Sequence, residues 1–402
     1  MERQILHVDV NNAFLSWTAV DMLKKGSKID IRTIPSIIGG DESKRSGIVL
    51  AKSPIAKKFG VVTGEPIYFA KKKCNQLQIY PCDFNLFYKS SNDLFKILQD
   101  YTDKIERFSI DECFLDLTGY LMGRKLEDIA KEINSRVYKE LGFTVNIGLS
   151  SNKLLAKMAS DFEKPNKIHT LYEYEIEDKM WHLPVGELFM LGRKTVPKLY
   201  NLGIKTIGDL AKTDKEFLMK RFGKDGKMMW EYANGIDESE VITEPENPKS
   251  IGNSVTLPTD YKTKEEILKV LIALAEQVTF RLRKHDMLAN TVRIQLRTKD
   301  FVDYSHQKKL AFPTSSTKEV ILLAKNILND MYKNEPIRLI GLSVDNLDTK
   351  EDTQMSFFEP SNEKQEKIDN VLDSLKNRYG YQAIKRAGEL EIQEIVKGKE
   401  KK

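Results

Sequence analysis

Acidic side chains interrupt two of the most apolar stretches of this chain. Asp9 lies within residues 5–10, and the pair Asp111-Glu112 directly precedes the apolar run 113–117. Both stretches are rich in β-branched and aromatic residues, which is typical of core strands. A buried carboxylate without a partner is costly, so these acids require a cation or a hydrogen-bonded partner. The chain is therefore predicted to carry its acids into one site on neighbouring strands.

Metal binding is one explanation for these acids. Two Mg²⁺ ions about 3.5–4 Å apart, held by shared carboxylates, would clamp the attacking and leaving oxygens of a phosphoryl displacement. A hairpin turn would explain Asp111, because Asp is common in turns, and an arginine partner would explain Asp9. The turn leaves Glu112 and Asp9 unexplained, and Asp9 runs into a helix start that resembles a phosphate seat. Nucleotidyl transfer is therefore the first hypothesis.

Length and composition narrow the class of protein. The 402 residues predict several domains, and 41% hydrophobic with 31% charged residues is typical of a soluble globular protein. No apolar stretch approaches the roughly 20 residues of a membrane span, and no secretory signal opens the chain. The three cysteines, Cys74, Cys82 and Cys113, have neither disulfide nor zinc spacing. These features predict a cytoplasmic protein.

Hydrophobic periodicity predicts an α+β catalytic region. Strands are predicted at 46–51 and 144–149, a hairpin at 105–117, and helices at 13–25, 55–60, 91–101, 126–141 and 153–161. The order of strand, hairpin, helix, strand and helix suggests a ferredoxin-like palm.

Two later regions have patterns typical of DNA binding. Between residues 172 and 240 the chain has short helices, and 191–204 resembles a helix-hairpin-helix, whose turn at Gly192 and Lys194 would contact a phosphate. Other small helical domains have similar turns. A linker at 243–248 precedes a unit with two helical stripes, and residues 249–350 hold 17 Lys/Arg against 12 Asp/Glu. Arg293, Arg297 and Arg338 would form a basic sheet face for a DNA backbone, the alternative being an ordinary solvated face.

Several of these segments, in their order and spacing, resemble the Y-family translesion DNA polymerases of the bacterial polymerase IV and V group. The motifs are His7-Val8-Asp9-Val10, Ala56-Lys57-Lys58-Phe59-Gly60-Val61, Tyr88-Lys89-Ser90-Ser91-Asn92, Ser109-Ile110-Asp111-Glu112, and Ser151-Asn152-Lys153 through Lys164-Pro165-Asn166. The resemblance covers nearly the whole chain and implies a right-hand α+β architecture. Its parts would be a palm (1–11 and 82–171), small fingers (12–81), a helical thumb (172–240), a linker (241–249), an α+β little finger (250–348) and a tail (349–402).

The resemblance also implies roles for individual residues. Asp9, Asp111, Glu112 and the Val10 carbonyl would bind two Mg²⁺ ions. Phe14 would be a steric gate against the ribose 2′-hydroxyl, although a helix-packing role would also explain an aromatic residue there. The triphosphate would contact Lys57, Lys164 and the amides of Ala13 and Phe14, and Ser53 would line the nucleotide pocket.

The sequence departs from the family pattern at three positions. Asn11 stands where many members have a second acid, so metal binding cannot be assumed there. Lys57 replaces a common arginine, which exchanges a bidentate fork for a point charge. Pro54 replaces a tyrosine frequent in polymerase IV, and the Ser53-Pro54 pair resembles the polymerase V branch. Dependence on accessory subunits is therefore open.

A short segment near the C-terminus predicts a protein partner. Gln354-Met355-Ser356-Phe357-Phe358 lies within a polar stretch, where two adjacent phenylalanines are more typical of a peptide that enters a partner's pocket. It resembles the pentapeptide by which bacterial polymerases bind the sliding clamp.

The resulting hypothesis is a monomeric, template-directed polymerase. A primer 3′-hydroxyl would attack the α-phosphate of a deoxynucleoside triphosphate on primer-template DNA, with low fidelity, tolerance of damaged templates and no proofreading. A nucleotide cyclase and a non-catalytic DNA- or clamp-binding protein are the alternatives. The thumb-like, basic and clamp-like segments disfavour the cyclase, and the intact acids disfavour the non-catalytic protein.

Overall fold

The chain forms two compact units, each described by itself below. They comprise Met1–Gly40 with Ile48–Pro245, and Asp41–Gly47 with Glu246–Lys402. The computed structural model describes residues 3–41, 47–244, 247–349, 363–381 and 383–384. Within these residues, no helix has the length and apolar character needed to cross a membrane.

Two sheets organise the first unit. Its strands are β1 (Ile5–Val10), β2 (Ser36–Gly39), β3 (Val49–Lys52), β4 (Gln78–Pro81), β5 (Ile105–Arg107), β6 (Glu112–Asp116), β7 (Val145–Ser150) and β8 (Ile168–Thr170). The larger sheet has the order β5-β6-β1-β7-β8, and the smaller has the order β3-β2-β4. Every residue of β1 and β7 is buried, so the central strands of the larger sheet are covered on both faces.

The helices of the first unit comprise longer helices that pack against the larger sheet, two short helices that pack with the smaller sheet, and a set of short helices that follows in the chain. They are α1 (Ala13–Lys24), α2 (Pro54–Lys58), α3 (Ile67–Lys73), α4 (Phe84–Gln99), α5 (Leu126–Arg136), α6 (Lys153–Asp161), α7 (Ile176–Lys179), α8 (Val196–Tyr200), α9 (Ile207–Lys212), α10 (Lys215–Phe222) and α11 (Lys224–Ala233). A π-helical turn, Val137–Leu141, extends α5 and ends at Gly142, whose φ of 84° favours glycine.

Capping side chains account for several helix starts. The side chain of Asn152 accepts a hydrogen bond from the Leu155 amide and starts α6 where the sequence predicts it. The predicted start of the fourth helix at residue 91 is wrong. The Asp83 side chain accepts a hydrogen bond from the Leu86 amide, so α4 begins at Phe84, seven residues before the predicted start.

Helix α6 packs unusually close to β7 at Gly148. A Cβ atom placed on Gly148 would lie 1.9 Å from the carbonyl oxygen of Ala156 and 2.6 Å from the Ser160 nitrogen. Both are backbone atoms and cannot rotate away. Glycine is therefore what allows α6 to lie against the central sheet.

Replacing Gly148 with alanine is expected to destabilise the first unit by more than about 3 kcal/mol, because an overpacked backbone contact must separate. Thermal unfolding followed by circular dichroism measures the loss. Gly192→Ala is the matched control, since no atom lies within 4 Å of an added Cβ there. Equal midpoints for the two variants would contradict the importance of this contact.

Helix α6 also belongs to a second core. Leu154, Leu155 and Met158 pack with the residues of the short helices, including Leu199 and Leu210. Its Ala156 packs instead with Ile5 and Phe114 of the larger sheet. One helix thus connects the sheet to the short helices that follow it.

The second unit is a sheet backed by helices. Its elements are β9 (Ser250–Tyr261), α12 (Lys264–Lys284), β10 (Met287–Thr298), β11 (Asp303–Thr314), α13 (Thr317–Met331), β12 (Ile337–Thr349) and α14 (Glu363–Tyr379). The strands form an antiparallel sheet in the order β11-β10-β12-β9. The apolar stripes of α12 and α13 cover one face of this sheet, as their periodicity predicts.

Buried ion pairs attach α14 to α12. The Arg283 guanidinium binds Asp373, with 2.6 Å between Nε and Oδ2, and Lys376 Nζ lies 2.5 Å from Glu276 Oε2. The Lys376 and Glu276 side chains are both nearly inaccessible to solvent. Removing one partner of such a pair would leave a buried charge, so α14 is an integral part of this unit.

Candidate active site

Strand pairing brings the three predicted acids together. Asp9 on β1 lies directly opposite Glu112 on β6 in the antiparallel register. The Val10 amide donates a hydrogen bond of 3.0 Å to the carbonyl oxygen of Asp111, which places Asp111 at the end of β1. The Asp111 carboxylate accepts a hydrogen bond of 2.7 Å from the Ser109 hydroxyl.

Two lysines contact these acids. Lys157 Nζ lies 2.8 Å from Glu112 Oε1, 3.1 Å from Asp161 Oδ2 and 3.7 Å from Asp9 Oδ2. Lys164 forms a hydrogen bond with Asp9 and an ion pair of 2.8 Å with Asp161. The sequence prediction included Lys164 but not Lys157 or Asp161. The spacing of Lys157 and Asp161 along one helix face is the only signal that could have indicated them.

Burial dominates the electrostatics of the acids. Burial raises the pKa of Asp9 above its ordinary value, although Lys164 acts in the opposite direction. Burial likewise raises the pKa of Glu112, with Lys157 opposing it. For Lys157, burial alone would lower the pKa, but Asp161, Glu112 and Asp9 outweigh it and raise the pKa. A cation bound beside Asp9 and Glu112 would therefore stabilise their ionised forms, which burial disfavours.

A buried histidine lies behind Glu112. His7 Nδ1 is 2.8 Å from the Ser160 hydroxyl oxygen, and that hydroxyl donates to the Lys157 carbonyl. His7 is therefore the donor at Nδ1, and in the neutral imidazole Nε2 carries no proton. Nε2 has no hydrogen-bond partner among the described residues and lies 3.9 Å from Glu112 Oε2. Burial, together with Lys157 and Lys164, holds the pKa of His7 well below its ordinary value.

The first turn of α1 faces the same end of β1. Asn12 is the N-cap residue, and it makes no side-chain cap; its Nδ2 donates to the Lys52 carbonyl oxygen at 2.8 Å. The amides of Ala13 and Phe14 thus lie in a helix N-terminus without a capping side chain. The half-buried Phe14 ring packs 4.7 Å from the Phe87 ring, measured between centroids.

Ser53 has a different position from the one predicted. Its hydroxyl oxygen accepts from the Ala56 amide at 3.0 Å and from the Ser36 amide at 3.1 Å, and the residue is fully buried. Ser53 therefore caps α2 and holds it against β2, and it offers no surface to a nucleotide. Lys57, which α2 carries in its last turn, is exposed.

Some of the predicted DNA-contacting residues are exposed, and others are paired with acidic side chains. Gly192 and Lys194 lie in an exposed turn before α8, closed by a 2.9 Å bond from the Thr195 amide to the Gly192 carbonyl. In the second unit, Arg297 forms two 2.8 Å hydrogen bonds with Asp303, and Arg293 lies 3.3 Å from Asp345. These acids neutralise part of the charge of the predicted basic face.

The exposed face of the second sheet is nevertheless concave. A hollow of about 360 Å³ is lined by Gly252, Asn253, Arg293 and Gly341, among others. Arg338, the third predicted contact, stacks its guanidinium 4.8 Å from the centre of the Phe301 ring. The predicted clamp-binding residues Gln354, Met355, Phe357 and Phe358 lie outside the described residues.

The ligand chemistry of the acid site fits a divalent cation. Asp9, Asp111, Glu112 and the Val10 carbonyl offer only hard oxygen atoms, which Mg²⁺ prefers. Among the described residues, no three His, Cys, Asp or Glu side chains already stand in a metal-binding arrangement. Lys157 is in contact with Glu112 and close to Asp9, so the lysines supply the positive charge in this structure. Burial raises the pKa values of Asp9 and Glu112 despite these lysines, which indicates that a further cation would stabilise the ionised carboxylates.

Known protein families and curated relatives match this sequence over nearly its whole length. Residues 8–161 match the impB/mucB/samB family and residues 248–357 match the C-terminal domain of that family. Residues 188–237 match the thumb domain of DNA polymerase-iota. DNA polymerase IV of Clostridium acetobutylicum is 49% identical over 98% of this chain and 100% of its own length. DNA polymerase IV 2 of Bacillus subtilis is 36% identical over 97% of this chain and 95% of its own.

A solved structure supports the fold. A protein described as "Y-family DNA polymerase chimera Dbh-Dpo4(243-245)-Dbh" superposes with a TM-score of 0.74 and 24% identity, covering 86% of this chain and 100% of its own. The α+β polymerase fold predicted from the sequence is thereby confirmed.

The family match and the named relatives, together with the fold, define a nucleotidyltransferase of the polymerase class. The chain belongs to the impB/mucB/samB family and is a Y-family translesion DNA polymerase. Both relatives described above carry the name DNA polymerase IV, whereas the Ser53-Pro54 pair taken alone resembles the polymerase V branch.

Proposed function

We propose that this chain extends a primer on a DNA template by two-metal nucleotidyl transfer at Asp9, Asp111 and Glu112, and that it copies past damaged bases. The observation that carries the proposal is the strand register. Asp9 lies opposite Glu112, and Asp111 is hydrogen-bonded to Val10 through the backbone. Rigid central strands hold such a constellation more precisely than loops do.

The three carboxylates and the Val10 carbonyl would hold two Mg²⁺ ions. Bound there, the ions would lower the pKa of the primer 3′-hydroxyl and stabilise the charge on the leaving pyrophosphate. Lys157 would keep Glu112 ionised, because its ammonium group lies 2.8 Å from that carboxylate. Lys164 is less buried than Lys157 and would exchange Asp9 for a phosphate oxygen.

The incoming nucleotide would bind at the first turn of α1. The amides of Ala13 and Phe14 supply donors where the helix dipole favours an anion. Lys57 and Lys164 would contribute point charges to the triphosphate. The Phe14 ring, fixed against Phe87, would occupy the space of a ribose 2′-hydroxyl. The fully buried Ser53 would act indirectly, by fixing the helix that carries Lys57.

DNA would be held by backbone contacts in both units. The exposed turn at Gly192 and Lys194 would donate to a phosphate, as in a helix-hairpin-helix. The hollow at Gly252, Arg293 and Gly341 would accept the sugar-phosphate backbone, with Arg297 and Arg338 on the same strands. Because Asp303 and Asp345 compete for these arginines, DNA affinity would be modest and salt-sensitive.

Low fidelity and absence of proofreading follow from the predicted architecture of palm (1–11, 82–171), fingers (12–81) and little finger (250–348). Small fingers would press weakly on the nascent base pair, and no segment resembles an exonuclease. Residues 354–358 would bind the sliding clamp. The chain is predicted to act as a cytoplasmic monomer, and the activity of the purified chain alone tests whether accessory subunits are required.

Primer extension tests this function. Purified protein with Mg²⁺ and single deoxynucleotides is expected to extend a primer on undamaged templates and past an abasic site, in short error-tolerant products. Parallel reactions with and without added clamp, and with a Phe357→Ala/Phe358→Ala variant, separate the clamp peptide from the chemistry. Failure of well-folded, DNA-binding protein to extend any primer would refute activity of the isolated chain.

A further inference from the structure

A buried pair of asparagine amides surrounds the loop that carries Lys164. Asn11 follows β1 and Asn146 lies on β7, and both are nearly or completely buried. Asn11 Nδ2 donates a hydrogen bond of 2.9 Å to Asn146 Oδ1.

Asn146 fixes the chain before Lys164. Its Nδ2 donates to the carbonyl oxygens of Ser160 at 3.0 Å and Glu163 at 2.7 Å. Only an amide nitrogen can serve both carbonyls, so the orientation of the Asn146 amide follows from its partners. Its Oδ1 therefore faces Asn11, and it also accepts from the Lys167 amide at 3.2 Å.

Asn11 fixes the chain after Lys164. Its Oδ1 accepts from the Asn166 amide at 2.7 Å and from the Thr144 hydroxyl at 2.9 Å. Backbone groups on both sides of Lys164, at Glu163 and at Asn166, are thus held by two side chains that are bonded to each other.

An acid at position 11 could not make the same set of bonds. Aspartate would still accept from Asn166 and Thr144, but its second oxygen would face Asn146 Oδ1, which is also an acceptor. Asn146 could turn only by giving up its bonds to the Ser160 and Glu163 carbonyls. The amide at position 11 is therefore matched to the amide at position 146.

We infer that Asn11 and Asn146 are positioning residues that hold Lys164 where it meets the triphosphate of the incoming nucleotide. This rests on the proposed function, in which Lys164 contacts the triphosphate. Lys164 keeps about a third of its side chain exposed and is the more accessible of the two site lysines. With its backbone fixed on both sides, the ammonium group loses little freedom when it changes partner from Asp9 to a phosphate.

A double-mutant cycle between Asn11→Asp and Lys164→Ala tests the inference. Single-nucleotide incorporation gives kcat and KM for dATP, and titration of dATP onto protein with a dideoxy-terminated primer-template gives affinity without turnover. Asn11→Asp is expected to raise KM and weaken dATP binding by about tenfold, with kcat changed less than about threefold. In the Lys164→Ala background, Asn11→Asp should not weaken dATP binding further, because position 11 is inferred to affect dATP only by positioning Lys164.

Matched variants distinguish positioning from general damage. Thr144→Val removes the hydrogen bond from the Thr144 hydroxyl to Asn11 Oδ1. Thr144 lies outside the loop that carries Lys164, so this variant is expected to leave dATP affinity unchanged. Asn11→Ala, which brings no acceptor against Asn146, replaces Asn11→Asp if that variant unfolds in a thermal melt.

The outcomes separate the inference from the proposed function. Multiplicative losses in the double mutant, or a fall in kcat at constant KM, would overturn the positioning role alone. Unchanged dATP affinity in Lys164→Ala would overturn both the triphosphate contact and the inference that depends on it.

Discussion

Glu112→Ala is expected to reduce nucleotide incorporation by about 10³-fold or more while primer-template binding stays within twofold of wild type. The loss arises because Glu112 lies directly opposite Asp9 in the register of β1 and β6, so the substitution removes one of the three carboxylates that would hold the metal ions. The measurement is single-turnover incorporation of one deoxynucleotide, with DNA affinity from fluorescence anisotropy of the same primer-template.

Glu173→Ala, an exposed acid of the same unit, is the control and should retain full activity. A readout independent of turnover is the rise in melting temperature when Mg²⁺ is added, which wild type should show and Glu112→Ala should largely lose. Incorporation by Glu112→Ala at more than a tenth of the wild-type rate would rule out the metal-ligand role.

Phe14→Ala is expected to admit ribonucleotides, lowering the preference for dATP over ATP by about 100-fold or more. The ring is half-buried and lies 4.7 Å from Phe87 and 5.9 Å from Trp17, so it cannot swing aside for a 2′-hydroxyl. Competitive incorporation of the two nucleotides opposite one template base gives the ratio directly.

Loss of packing is the competing explanation for such a change. Phe84→Ala removes another ring of the same cluster, 5.7 Å from Phe87, and should lower the melting temperature without changing sugar selection. If Phe14→Ala keeps the wild-type preference for deoxyribose, Phe14 is a packing residue and the gate lies elsewhere.

The chemistry of the acid site could be predicted from the sequence because its signals are local. Asp111-Glu112 interrupts an apolar pattern, and Asn152 followed by an amphipathic run defines α6. The pairing of Asp9 with Glu112 could not be predicted in the same way, because register between strands about 100 residues apart depends on how both faces of the sheet are buried.

The surroundings of three side chains depend on partners that the fold brings to them. Ser53 sits in a motif that suggests nucleotide contact, yet its hydroxyl caps α2 and binds the Ser36 amide. Arg297 suggests a free basic face, yet Asp303 reaches it from the next strand. Lys157 resembles an ordinary helix-surface lysine until α6 lies on the sheet. None of these partners is visible in a periodicity pattern.

The double role of α6 has a mechanical consequence. Its Leu154, Leu155 and Met158 are part of the core of the short helices that match a thumb domain, and its Gly148 contact fixes it to the central sheet. The segment after those helices is tied to the same end of α6, because the Leu154 amide donates to Asp237 and Asn152 donates to the Gly235 carbonyl. The same helix carries Lys157, whose ammonium group lies 2.8 Å from Glu112 Oε1. A change in the position of α6 relative to the sheet would therefore alter both the core of the short helices and the contact between Lys157 and Glu112.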